Sequence, residues 1–136
     1  QDVQLLTPQA QEANIFHMVD ALGRRDGKTA SRIYHQLLAT GSHPLALLGM
    51  IARQFRLMIQ VKELAPKLGT ARAIAHELGQ NPYPIKKILK QSSNYSQQQL
   101  RTVYHKLLET DVQIKTGQSE AALAIDLLIA VLGRIP

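Results

Sequence analysis

Pro44-Leu-Ala-Leu-Leu-Gly-Met-Ile-Ala-Arg-Gln-Phe-Arg-Leu-Met-Ile-Gln-Val-Lys-Glu-Leu64 is the stretch that decides the fold class. Leu45, Leu48, Ala52, Phe55 and Ile59 recur at helical spacing along one seam, and Leu47, Ile51, Met58 and Val61 form a second seam beside it. Two adjacent seams make an apolar surface too wide for a single neighbour, so this helix must pack on two sides. Pro44 suits its first turn, where the missing N–H costs nothing. Pro66 and Gly69 are expected to finish it near Leu64. Arg53 and Arg56, with Gln60 and Glu63, form its narrow polar strip, either a solvated face or a ring of subunit contacts.

The same periodicity continues on both sides, and no alternating run of strand length interrupts it. After an extended lead over Asp2 to Leu6, Thr7-Pro8 opens a first helix that buries Ile15, Val19 and Leu22 and ends at Asp26-Gly27. A second helix over Lys28 to Thr40 buries Ala30, Ile33, Leu37 and Leu38 and stops at Gly41. Downstream, two short helices cover Thr70 to Leu78 and Pro82 to Gln91. Ser96 with Gln99 reads as a capping box for a helix to Thr116, with Leu100, Val103, Leu107 and Ile114 inward. Ser119 is expected to cap the last helix, which is apolar almost all round from Ala121 to Leu132 except at Asp126. Such a helix is either central or covered by another subunit. The expectation is an all-α, compact bundle of about seven helices forming one domain over residues 1–136.

Composition narrows the function classes. Hydrophobic residues make up 45% of the chain and aromatics 4%, so the core is aliphatic. There is no cysteine, which removes disulfides and thiolate metal sites. The apolar run near the C-terminus is too short to span a bilayer, so no membrane role is expected. The net charge of +6 favours encounter with nucleic acid or acidic partners. The chain starts at Gln1 without Met and reads as a piece of a longer protein.

Gly23-Arg-Arg-Asp-Gly27-Lys28-Thr29 imitates a phosphate loop but has three residues between its glycines instead of four, and a helix precedes it. It reads as a turn between helices, with Gly27 in the left-handed conformation. His17, His35, His43, His76 and His105 include no pair at ligand spacing, so no metal or cofactor is expected. The carboxylates are dispersed; Asp126 reads as the solvated edge of the last helix, with Arg134 or a neighbouring Lys as its alternative partner. No serine is marked as activated. The chain is therefore expected to carry no catalytic site.

Between Ala71 and Leu89, the residues Ala75, Gly79, Ile85 and Ile88 fall at the spacings of a helix-turn-helix. Its second helix bears Lys86, Lys87 and Lys90, a basic face able to meet phosphates. Pro82 and Pro84 sit where base-reading side chains would be needed, and any packed pair of short helices produces the same pattern. A DNA-binding regulator thus stands as the alternative reading.

Five further stretches carry a resemblance that covers nearly the whole chain in order. They are Asn14-Ile-Phe-His-Met-Val-Asp-Ala-Leu22, Leu37-Leu38 with Gly41 and Pro44-Leu45, and Ile51-Ala-Arg-Gln-Phe-Arg-Leu57. Glu77-Leu-Gly-Gln-Asn-Pro-Tyr-Pro-Ile-Lys-Lys-Ile-Leu89 and Asp111-Val-Gln-Ile-Lys-Thr-Gly117 follow. Together they resemble the C-terminal part of the bacterial DNA polymerase III delta subunit family. The resemblance implies a non-catalytic collar domain of the clamp loader, joined to delta-prime and gamma/tau in a pentameric ring at the cytoplasmic replication fork. It implies that the AAA+-like and lid domains, including the part that meets the sliding clamp, lie outside this chain. It places primer–template DNA within the assembled complex, with Arg53, Arg56, Lys86, Lys87, Lys90 and Lys115 as candidate subunit or DNA contacts.

Overall fold

The computed structural model describes residues 7–135, which form seven helices and, among those residues, no strand. They are α1 (Pro8–Gly23), α2 (Gly27–Ala39), α3 (Pro44–Leu68), α4 (Ala71–Leu78), α5 (Pro82–Ser92), α6 (Gln97–Lys115) and α7 (Ala121–Leu132). The all-α expectation is met; the extended lead over Asp2 to Leu6 lies outside the described residues.

The 25-residue α3 is the axis of the bundle. It packs against α1, α4, α5, α6 and α7, so its two seams serve five neighbours rather than two sides. Leu47, Leu48, Ile51, Phe55, Met58 and Val61 are all but sealed from solvent. The helix runs through Pro66 to Leu68 instead of stopping near Leu64. A proline this close to the C-terminus forfeits a single ladder hydrogen bond, and the left-handed Gly69 supplies the actual stop, its N–H donating to the Ala65 carbonyl.

Local chemistry explains the other helix ends. Ser96 and Gln99 form both halves of the capping box, and Tyr95 and Leu100, at the positions of a hydrophobic staple, are both buried. The last helix is capped by Glu120 rather than Ser119, its carboxylate accepting from the Ala122 and Leu123 amides at 3.0 Å each. Ser119 is still bound to the end of α6, its amide donating to the Gln113 carbonyl. Likewise α1 ends at Gly23, three residues early, because Asp26 caps α2 instead of closing α1.

The left-handed residue of that turn is Arg25 (φ 64°), not Gly27. The Asp26 amide reaches back to the Ala21 carbonyl at 2.8 Å, which requires a left-handed residue at position 25. The Arg25 guanidinium holds the turn by donating to the Gly23 carbonyl at 2.6 Å and lying over the Tyr95 ring. The close approach here constrains the other partner: a Cβ at Gly133, at the end of α7, would lie 2.8 Å from the Gly27 Cα, whereas one at Gly27 would meet Gly133 at an ordinary 3.6 Å.

Candidate interaction surfaces

Two surfaces stand out once the core is accounted for. The first is apolar. Ile125, Leu128, Ile129 and Leu132 turn one face of α7 into the core, while Leu123, Leu127 and Val131, spaced four apart, are exposed. Leu108 and Val112 on the neighbouring α6 are exposed too. Leu127, 61% exposed, is the barest of the five. The last helix is therefore peripheral, not central, and an uncovered row of five large aliphatic side chains is unusual for a surface with nothing to bind.

The second surface is basic. Lys86, Lys87 and Lys90 are exposed on α5, as are Arg53 and Arg56 on α3. Arg53 and Lys87 are brought together as lining of one cleft between α1, α3 and α5. The Lys87 ammonium lies 4.9 Å from the Phe16 ring centre and 5.5 Å from that of Tyr83. Lys115 stands apart, at the end of α6, with its Nζ 3.0 Å from Asp111 Oδ2.

Behind this cleft lies a relay that sequence reasoning did not find. Gln54 on α3 donates to Gln91 Oε1 at 2.7 Å, and Gln91 Nε2 donates to the Phe16 carbonyl at 3.0 Å. Gln91 is almost fully buried, so one side chain ties α1, α3 and α5 at their meeting point. Its only sequence signal is an amide one turn from Ile88, which a helical pattern treats as polar surface.

The pair α4–α5 resembles a helix-turn-helix locally, with Ala75, Ile85 and Ile88 buried around the left-handed Gly79. Both helices pack on α3, and the exposed start of α5 is Pro82-Tyr83-Pro84. The phosphate-loop imitation is filled by its own side chain: Asp26 accepts from the Thr29 hydroxyl at 2.7 Å and from the Thr29 amide at 3.1 Å. These bonds, the hydroxyl's first, hold the Asp26 carboxyl below the usual range, and they put a carboxylate where a phosphate would need to sit. Asp126 meets His35 on α2 at 3.1 Å, not Arg134. Among the described residues no three His, Asp or Glu side chains are grouped to hold a metal ion, and no helix is long and apolar enough to cross a membrane.

Residues 12–132 match the family described as DNA polymerase III delta subunit, C-terminal domain. This chain belongs to that family. It is 28% identical over 128 residues to the DNA polymerase III subunit delta of Bacillus subtilis, covering 94% of this chain and 37% of the relative. A solved structure, the Bacillus subtilis DNA clamp loader delta protein, superposes with a TM-score of 0.89 at 27% identity. That likeness covers 96% of this chain and 38% of the other. The chain thus spans little more than a third of the relatives it matches. Membership places the domain in a clamp-loader component, and the all-α architecture agrees with it.

Proposed function

We propose that this domain is the collar module that holds a delta subunit in the pentameric ring of the clamp loader, without catalysis of its own. The uncovered α6–α7 row of Leu108, Val112, Leu123, Leu127 and Val131 carries the reading. Anchoring side chains of this kind become stabilising only when a neighbouring chain removes them from water. The partners are then the matching domains of delta-prime and gamma/tau. Residues 1–136 act as one unit, and the AAA+-like and lid portions, with the contact to the sliding clamp, belong to the rest of the protein. The setting is the cytoplasm, at the replication fork.

The exposed Arg56, Lys86 and Lys90 give the assembled ring a basic surface towards primer–template DNA, attractive without reading sequence, and Lys115 offers a separate cation at the end of α6. Pro82 and Pro84 at the start of α5 weigh against a helix-turn-helix regulator, because that turn offers no Asn, Gln or Arg to base edges. Mixing this chain with delta-prime and gamma/tau of the same organism and sedimenting the mixture tests the assignment. A stable complex is the expected result. Absence of any complex with the full set of partners, together with tight sequence-selective duplex binding, would replace the collar by the regulator.

A further inference from the structure

The cleft between α1, α3 and α5 encloses about 710 Å³ and shares no residue with the α6–α7 row. Its apolar lining, or floor, comes from Ile15, Phe16, Met50, Leu57, Ile85 and Ile88, with the amides of Gln54 and Asn81 beside them. Its walls carry Arg53 from α3 and Lys87 from α5, against a single carboxylate, Glu12. Lys86 and Lys90 on α5 and Arg56 on α3 extend the positive charge beyond the cleft.

We infer that this cleft is a docking groove for an acidic protein segment that inserts aliphatic or aromatic anchors. Burial of the anchors on the floor supplies the affinity, and the basic walls select a segment of opposite charge and speed its encounter. Met50, partly buried in the floor, has an unbranched and polarisable side chain that adapts to differently shaped anchors. Lys87 is held in place before any partner arrives, since its ammonium rests on the Phe16 and Tyr83 rings. That placement reduces the cost of ordering a flexible cation on binding.

The same contact argues for protein over single-stranded nucleic acid. Base binding needs open ring faces as stacking platforms. Here the Phe16 ring is partly buried and meets the Lys87 ammonium, so the exposed Tyr83 is a single platform, too few for a run of stacked bases, and the apolar lining beyond these rings is aliphatic or methionine. A segment of alternating acidic and apolar residues answers both features at once. It is a partner additional to the ring neighbours, because the groove lies on other helices than the row assigned to them.

A random library of short displayed peptides, selected on the 136-residue chain, tests the inference directly. Selected sequences should combine Asp or Glu with Leu, Ile or Phe. A fluorescent copy of the best peptide should bind the Arg53→Glu, Lys87→Glu double variant roughly tenfold or more weakly, and Tyr83→Ala measurably more weakly. Arg53→Gln with Lys87→Gln should give a smaller loss of the same kind, which guards against misfolding of the reversed variant. Leu127→Glu should leave peptide binding unchanged, so a failure here is separable from a failure of the collar assignment. The inference is overturned by failure to enrich any sequence, by enrichment of neutral or basic sequences, or by equal affinity for the double variant. Displacement of the peptide by a short thymidine oligonucleotide would instead assign the groove to single-stranded nucleic acid.

Discussion

Gly27 and Gly133 meet backbone to backbone where the end of α7 crosses the start of α2. A Cβ at position 133 would lie 2.8 Å from the Gly27 Cα, and neither backbone has a flexible side chain that could yield. Gly133→Ala should therefore destabilise the domain by about 1–3 kcal/mol in urea unfolding, the usual cost of overpacking. Gly49 gives the opposite expectation: it lies within α3, and a Cβ there meets nothing within 4 Å. Gly49→Ala should stabilise by about 0.5–1 kcal/mol through reduced backbone entropy alone. Two tyrosines make a further statement, about pH. Tyr34 donates to the Ala122 carbonyl at 2.9 Å, tying α2 to α7, and Tyr95 donates to the Val19 carbonyl at 3.3 Å. Burial first, then the Asp126 and Glu120 charges, pushes the Tyr34 phenol up to about 12 from an ordinary value of 10.0. Burial raises Tyr95 as well. Since the unfolded chain ionises first, the stability is complete below pH 10 and drains away as pH rises from 10 towards 12. Thermal midpoints should fall across that window, less steeply in Tyr34→Phe and Tyr95→Phe, which lack the ionisable group. An unchanged slope in both variants would remove the tyrosines as its cause.

Apolar packing joins the helices of this bundle, and a few buried polar groups add directional ties between them. Gln91 accepts from Gln54 and donates to the Phe16 carbonyl, so replacing it takes the second donor from a carbonyl on α1 and the acceptor from an amide on α3 together. Gln91→Leu nearly keeps the volume but should cost about 1–2 kcal/mol, the net worth of the two hydrogen bonds it removes. Denaturant unfolding of Gln91→Leu, compared with Gln54→Leu and the double variant, should show strong non-additivity if the relay acts as a unit. The elements themselves were legible because aliphatic spacing and punctuation agree: Thr7, Ser96, Gly69 and Gly79 sit where the chain needs a cap or a stop. The ends that shifted were governed by neighbours in space. Ser119 had the right chemistry to cap α7, but its amide closes the end of α6 and the N-cap position falls one residue later, on Glu120, whose carboxylate accepts from the Ala122 and Leu123 amides. Gly27 looked like the left-handed turn residue, whereas Arg25 takes that conformation, and the glycine that spatial packing requires is Gly133, which no local turn signal marks. The cleft was legible only in part: Arg53 and Lys87 stood out as cations, yet their meeting depends on how α3 and α5 cross, which neither segment encodes alone.

At the scale of the whole molecule, the apolar and basic surfaces call for different physics, and that difference lets the collar assignment be tested by surface rather than by binding alone. The α6–α7 row presents five aliphatic side chains on neighbouring helices, with Leu127 and Leu123 the most exposed at 61% and 58%. Full burial of a leucine stabilises by about 1.5–3 kcal/mol, and this gain is nearly independent of salt. The lysines of α5 act through screened charge, so their share of any association should shrink as ionic strength rises. Val112→Glu with Leu127→Glu removes two anchors and obliges a partner to bury two unpaired carboxylates. The double variant should bind the other loader subunits at least about a hundredfold more weakly, equivalent to about 2.7 kcal/mol. Its own unfolding should move by no more than about 0.5 kcal/mol, because both side chains already face water in the isolated domain. Lys86→Glu with Lys90→Glu should leave subunit association intact at high salt and weaken only the salt-sensitive part of DNA binding by the assembled loader. Sedimentation and salt titration of the two variants side by side give a crossed result if the surfaces are divided in this way. Loss of assembly in the lysine variant with none in the aliphatic one would move the subunit interface to α5.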